Sequence, residues 1–386
     1  MAARKPVSLV KGDQSLVQTW PEEPNRFIET HVDPFLLWCV KKGSSDISIQ
    51  TDRPVYTEVH GILYPATYRA MDAADMAVFL QKIYGPDASA RLASGTDMDI
   101  SYEIRPDRYS RCRFRVNITA VLARGRDAAQ ITMRVLPSEP PRMDDLKIEQ
   151  QIIDNWAPRQ GMVVITGPTG SGKTTLLAAG NRMLMERPQG CGKMLTYEAP
   201  IEFTYDTIHS PRSLVSQTEI PRHLPDFAAG VRNALRRKPQ IILVGEARDR
   251  ETISAAIEAA QTGHAVYTTT HTTGVSSTIR RMISAFDRAE RSERAYALME
   301  TLRMVVTQAL VPKKTGGRVG VREWMIFPDE VREKLLDKDF EEWTNEIQRM
   351  IPFYGQTMNK SATMLFEQDL IDKRYYLLLT AGGGAH

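Results

Sequence analysis

Residues 167–174 read Gly-Pro-Thr-Gly-Ser-Gly-Lys-Thr and satisfy the pattern GxxxxGK[ST]. They follow the apolar run Met162-Val-Val-Ile and precede a helical stretch beginning near Thr174. Glycines there let successive backbone N–H groups turn inward around phosphate oxygens, and the following helix presents its positive end to the same anion. Lys173 is expected to contact the β- and γ-phosphates, and the Thr174 hydroxyl to ligate magnesium (Mg2+). Gly167, Pro168, Thr169, Gly170, Ser171, Gly172, Lys173, Thr174 and Thr175 form the expected nucleotide cradle.

Outward from this loop, Met194-Leu-Thr-Tyr, Ile241-Ile-Leu-Val and Ala265-Val-Tyr-Thr are further continuous apolar runs separated by helix-length segments. Continuous rather than alternating runs imply strands covered on both faces, hence an α/β unit with a parallel sheet. From about Asp287 onward helical periodicity dominates. Before residue 137 the texture differs: Asp46-Ile-Ser-Ile-Gln, 55–63, 98–104, 112–120 and 130–136 read as strands, mostly with apolar and polar residues in alternation. Asp72 to Ile83 carries a helical apolar stripe, and Pro34 is expected to open an earlier helix. This predicts an α+β first domain over 28–137, a polar arm over 1–27, a Pro-rich connector over 138–148 and a P-loop domain with a helical C-terminal part over 149–386.

The 386 residues are 42% hydrophobic and 25% charged, a globular composition. The formal charge of +3 is too small to draw the whole molecule onto nucleic acid or an anionic bilayer. Cys39, Cys112 and Cys191 form no close pair, so neither a disulfide framework nor a zinc site is suggested. No run of about 18 apolar residues and no secretory signal is legible, which predicts a cytoplasmic protein able to dock on a membrane complex.

Acids follow other strands. Glu246 emerges after Ile241–Val244, at the carboxyl edge where open α/β sheets hold their ligands, and is a candidate to hold magnesium through water or to orient a nucleophile. The stretch Tyr197-Glu-Ala-Pro-Ile-Glu-Phe places Glu198 and Glu202 after another strand, and His264 and His271 flank a third.

In order and spacing, the segments GPTGSGKT, EAPIEF, IILVGEARD and GHAVYTTTHTT resemble the Walker A, Asp box, Walker B and His box of the type II and type IV secretion ATPases, including twitching-pilus retraction motors. Ser45-Asp-Ile-Ser-Ile and Arg113-Phe-Arg-Val-Asn resemble that family's PAS-like N-terminal domain, and the likeness spans roughly residues 33–372. The Asp box with Tyr205-Asp206 beyond it most resembles the Dot/Icm type IVB secretion and IncI-type conjugative-transfer motors. The resemblance implies a RecA-like ATPase domain, ATP with magnesium as cofactors, and a homohexamer at the cytoplasmic base of a membrane secretion or conjugation complex. It casts Glu202 as the catalytic glutamate, Glu246 as the Walker B glutamate, and His264 and His271 as the pair coupling nucleotide state to a neighbouring subunit. Arg113, Arg115 and Arg134 become the arginines that approach the phosphates, with ATP expected between the two domains.

Two departures stand out. Ala199 occupies a position where many relatives carry Asp, and Glu330-Val-Arg-Glu-Lys-Leu-Leu alters the AIRxxI motif of retraction motors while keeping Arg332. Two other classes compete: a RecA-like helicase using Arg232–Lys238, and a nucleotide-gated assembly factor without turnover. The modest charge and the lack of interleaved aromatics predict no direct nucleic-acid contact.

Overall fold

The computed structural model describes residues 18–108, 110–137 and 139–381. The chain divides into two compact units, with the break between residues 138 and 139. Among the described residues no helix is long and apolar enough to cross a membrane.

The first unit runs α1 (Glu29–Lys41), β1 (Asp46–Gln50), β2 (Tyr56–Val59), β3 (Ile62–Pro65), α2 (Ala73–Ile83), α3 (Ala88–Ala93), β4 (Met98–Ile104), β5 (Cys112–Ala123) and β6 (Arg126–Leu136). Its strands form an antiparallel sheet in the order β3-β2-β1-β6-β5-β4. Alternation decides which face is covered: Ile47 and Ile49 of β1 and Phe114, Val116 and Ile118 of β5 are fully buried. They meet Phe35 and Leu36 of α1 and Phe79 of α2 in one core.

Three expectations are corrected here. The single strand read over 55–63 is a hairpin, because His60 and Gly61 both take positive φ (52° and 78°) and reverse the chain. The first helix begins at Glu29, so Pro34 lies inside it rather than opening it. Residues 18–27 are not a polar arm: Trp20 stacks on Phe27 and packs on Phe35, and its N–H donates to the Ala66 carbonyl (2.8 Å). Burying two large aromatics outweighs the polar residues around them. The rest of the expected arm, 1–17, lies outside the described residues.

The second unit runs α4 (Gln150–Asp154), β7 (Gly161–Thr166), α5 (Lys173–Glu186), β8 (Gly192–Glu198), β9 (Ser213–Glu219), α6 (Phe227–Ala234), β10 (Ile241–Val244), α7 (Arg250–Gln261), β11 (Ala265–Thr269), α8 (Val275–Ser284), α9 (Arg291–Thr301), β12 (Leu302–Pro312), β13 (Arg318–Ile326), α10 (Asp329–Leu336), α11 (Trp343–Tyr354), β14 (Gly355–Gln356), α12 (Met358–Glu367) and α13 (Lys373–Thr380). The sheet order is β14-β13-β12-β7-β11-β10-β8-β9. From β12 to β9 all neighbours are parallel; β13 and β14 add an antiparallel edge. Helices cover both faces, with separate cores around Leu195 and Val266 and around Ile165 and Leu176. The architecture is α/β, a P-loop unit with a parallel sheet preceded by an α+β unit.

The helical reading beyond Asp287 is corrected at 302–326, where β12 and β13 extend the sheet. The run Leu302-Arg-Met-Val-Val-Thr ends in three β-branched residues and is almost wholly buried, and pairing with β7 overrides local helical spacing. The connector is also shorter than read. Met143 and Ile148 pack into the second unit's core, and Arg182 donates to the Pro140 carbonyl (2.6 Å).

Candidate nucleotide site

All six residues of β7 are buried, so the strand delivers the following loop rigidly to the sheet's carboxyl edge. Gly167, Gly170 and Gly172 take φ of 140°, 77° and 81°. At Gly167 a Cβ would stand 2.2 Å from the Gln308 carbonyl oxygen and 2.7 Å from Ser171 Oγ, so only glycine fits the turn. Pro168, Thr169 and Gly170 are exposed, while Thr174 and Thr175 are half-buried in the first turn of α5.

Lys173 folds back into this loop. Its Nζ donates to the carbonyls of Gly167 (2.8 Å) and Pro168 (3.1 Å). Burial pushes its pKa below the usual lysine value, while the negative charges of Glu246 and Glu202 pull it back up. Ser171 Oγ is buried with no hydrogen-bond partner among the described residues. A desolvated cation hydrogen-bonded to neutral carbonyls, beside an unsatisfied hydroxyl in a glycine cradle, fits a polyphosphate.

Two strand ends converge on the lysine. His271, just past β11, has Nδ1 3.4 Å from Lys173 Nζ and Nε2 3.0 Å from Glu246 Oε1. An ammonium can only donate, so Nδ1 accepts in its contact with Lys173 and the ring proton belongs on Nε2, which stands near Glu246 Oε1 without completing a hydrogen bond to it. The loop carrying His271 is pinned by threonines: Thr166 Oγ1 donates to the Thr272 carbonyl (2.6 Å), and Thr270 Oγ1 donates to Thr166 Oγ1 (2.9 Å). Thr269 Oγ1 donates to the Gly245 carbonyl (2.6 Å), fixing the strand end that carries Glu246.

Glu202 lies half-buried in the loop after β8 and is close enough to act on the charge of Lys173. Neighbouring residues that sequence reasoning missed shape that loop. Gln217 Nε2 donates to Glu198 Oε1 (3.0 Å) and to the Phe203 carbonyl (2.8 Å), and its Oε1 accepts from Tyr205 N–H (3.3 Å). Glu219 Oε2 accepts from Ile201 N–H (3.2 Å). Asn181, on the same helix as Lys173, donates to the Tyr205 hydroxyl (2.9 Å). Glu219 had a legible signal, an acid ending a strand as Glu246 follows one; Gln217 and Asn181 had none.

His264 is not brought to this cluster within the chain. It precedes β11 where His271 follows it, about 16 Å of strand away, and its Nδ1 lies 3.0 Å from the Ala259 carbonyl oxygen. The three arginines belong to the first unit's sheet. Arg113 is buried and pairs with Glu103 (3.4 Å), Arg115 pairs with Asp99 (2.6 Å), and Arg134 pairs with Asp46 (2.9 Å). Arg115 and Arg134 stand directly opposite on β5 and β6. The basic run 232–238 ends α6 and is partly tied down, Arg237 donating to Ser216 Oγ (2.8 Å).

Residues 22–350 match the family described as type II/IV secretion system protein. The chain belongs to that family. It is 34% identical over 336 residues to a twitching motility protein of Neisseria gonorrhoeae, covering 86% of this chain and 85% of that one. It is 32% identical to the type IV pilus retraction ATPase PilT of Pseudomonas aeruginosa, covering 89% and 96%. Among solved structures it superposes on the Legionella pneumophila ATPase DotB with TM-score 0.90 and 47% identity, over 95% of this chain and all of that one. The ADP-bound retraction motor PilT gives TM-score 0.79 at 27% identity, over 91% and 97%. With a complete phosphate loop in a family of ATPases, the chain is an ATPase.

Proposed function

We propose that this ATPase is a homohexameric motor at the cytoplasmic face of an inner-membrane type IVB secretion or conjugative-transfer complex, powering substrate transfer or pilus dynamics. The linked Lys173, His271 and Glu246 at the mouth of the phosphate loop carry the reading, because they join the cation that meets the phosphates to an acid at the next strand end. The likeness to DotB over nearly the whole chain supports the type IVB assignment.

In this reading the cradle Gly167–Thr175 holds ATP, Lys173 contacts the β- and γ-phosphates, and Thr174 with Glu246 holds magnesium. Glu202 orients a water and accepts its proton as the water oxygen bonds to the γ-phosphorus. The bond from that phosphorus to the β,γ-bridging oxygen breaks, and ADP leaves with the electron pair. Arg113, Arg115 and Arg134 of an adjacent copy meet the charge that develops, which in other phosphoryl-transfer enzymes is worth about 10³ to 10⁵ in rate. His271 reports the terminal phosphate to Glu246, and His264 acts toward a neighbouring copy. Work comes from the different affinities of ATP and ADP for two arrangements of the protein.

Electron-microscope images of the full chain with nucleotide are expected to show six-membered rings, and pull-downs from native membranes to retain secretion-complex proteins. A monomer under all nucleotide conditions would overturn the motor. Hydrolysis stimulated by single-stranded DNA with a steep salt dependence would overturn the secretion assignment in favour of a translocase.

A further inference from the structure

Behind the phosphate loop, on the side away from Glu202 and Glu246, lies a buried polar chain that the catalytic reading does not use. Gln308 of β12 and Arg322 of β13 are each only 4% exposed. Gln308 Nε2 donates to the Ser171 carbonyl inside the loop (2.7 Å), and Gln308 Oε1 accepts from Arg322 Nε (2.7 Å). Arg322 Nη1 pairs with Glu149 Oε2 (3.1 Å), just before α4, and Glu149 Oε1 accepts from Gln356 Nε2 (3.3 Å). Further guanidinium contacts reach the carbonyls of Leu146 (3.4 Å) and Lys147 (3.5 Å).

Space is reserved for this chain. A Cβ on Gly320 would stand 2.5 Å from Arg322 Nη2 and 3.3 Å from Gln308 Oε1, and one on Gly172 would stand 3.0 Å from Gln308 Nε2. A buried guanidinium is tolerated only where its donors are met, so hydrophobic packing alone would not have kept Arg322 here.

The chemistry is directional. A guanidinium only donates, so the Gln308 oxygen must face Arg322 and its amide nitrogen must face Ser171. That holds the Ser171 carbonyl toward Gln308. Because the peptide is planar and trans, the Gly172 N–H then points away from Gln308. Loop N–H groups are what a phosphate meets, so the orientation of this one peptide bears on nucleotide affinity.

We propose that Gln308 is a positioning residue for the phosphate loop, oriented by Arg322 and Glu149, and that this chain tethers the loop to the segment 146–149 at the start of the ATPase unit. Without Arg322 the Gln308 amide is free to turn its oxygen toward the Ser171 carbonyl, and the peptide loses its fixed direction.

The test is a double-mutant cycle in the full-length protein with Gln308→Met and Arg322→Met. Its readouts are the dissociation constant of fluorescent ADP, without turnover, and hydrogen exchange of amides 170–173 in nucleotide-free protein. Each single variant is expected to weaken ADP binding about tenfold, the size of one lost hydrogen bond at a fixed site. Each should also speed exchange in the loop, and the double variant should be no worse than the worse single one. Additive losses, or wild-type affinity and exchange in Gln308→Met, would overturn the proposal. So would a fall in melting temperature with both readouts unmoved, which is what a purely structural role produces. Should Arg322→Met not fold, Glu149→Gln replaces it in the same cycle, with the same non-additivity expected and the same outcomes against it.

Discussion

The first unit's sheet and the second unit's phosphate loop treat positive charge in opposite ways. In the first, Arg113, Arg115 and Arg134 each meet a carboxylate of their own sheet, and the adjacent placement of Arg115 and Arg134 is offset by Asp99 and Asp46. In the second, Lys173 is drawn into the protein and held by the neutral carbonyls of Gly167 and Pro168, with its ammonium form disfavoured by burial. In the first arrangement each cation already faces an acid. The second leaves a desolvated cation whose stronger partner is a phosphate, so binding energy is stored where the nucleotide arrives.

The largest test of that contrast is Lys173→Ala. Losing a cation aimed at the transferring phosphoryl group is expected to lower kcat/KM for ATP about 10³-fold, measured by steady-state phosphate release. Near-wild-type turnover would show that the buried lysine is merely structural. Glu202→Gln is expected to lower kcat about 10²-fold while leaving ADP binding intact, because it removes a proton acceptor and keeps the shape. If calorimetry showed nucleotide affinity falling in step with rate, Glu202 would be a binding residue instead.

Next in size is a packing change beneath the loop. A Cβ on Gly180 of α5 would stand 2.0–2.2 Å from the ring of Trp156, which is fully buried, so Gly180→Ala is expected to cost about 1–3 kcal/mol in urea unfolding. An unchanged midpoint would mean that the helix carrying Lys173 can shift without penalty. His271→Asn is expected to lower hydrolysis roughly tenfold by breaking the link from Lys173 to Glu246, a loss on the scale of one hydrogen bond at the site. Phosphate release at saturating ATP reads it directly, and an unaffected rate would remove His271 from the chemistry. The smallest expected stability effect is that of Arg134→Gln. Its side chain is 69% exposed and its pair with Asp46 is a surface ion pair, so stability should move by less than about 0.5 kcal/mol. Hydrolysis should nevertheless fall in assembled protein, and a variant unaltered in both would leave this arginine with no part in the site.

Much of the second unit was readable because short continuous apolar runs such as 162–165 and 241–244, bounded by polar or glycine-bearing segments, suit strands covered on both sides, and because a phosphate loop needs glycines at set places. The alternating strands of the first unit were readable for the complementary reason: in β1 every second residue is buried. Reading stopped where distant contacts outweighed local pattern. The residues of β12 and β13 carry helical spacing and became strands by pairing with β7 and with each other. Trp20 and Phe27 sit in a polar stretch and joined a core made of other elements.

The amino-acid order alone determined that a triphosphate-binding loop stands between a buried strand and a helix, and that acids and a histidine follow neighbouring strands. Local stereochemistry and burial demand those residue types wherever they occur. Only the tertiary structure decided which of them meet. A parallel sheet brings the carboxyl ends of β7, β10 and β11 together, so His271 joins Lys173 to Glu246 while His264, seven residues earlier on the same strand's other end, is carried away. Gln308 and Arg322 come to lie behind the loop because β12 pairs with β7, a contact between residues more than a hundred positions apart that no local spacing can encode.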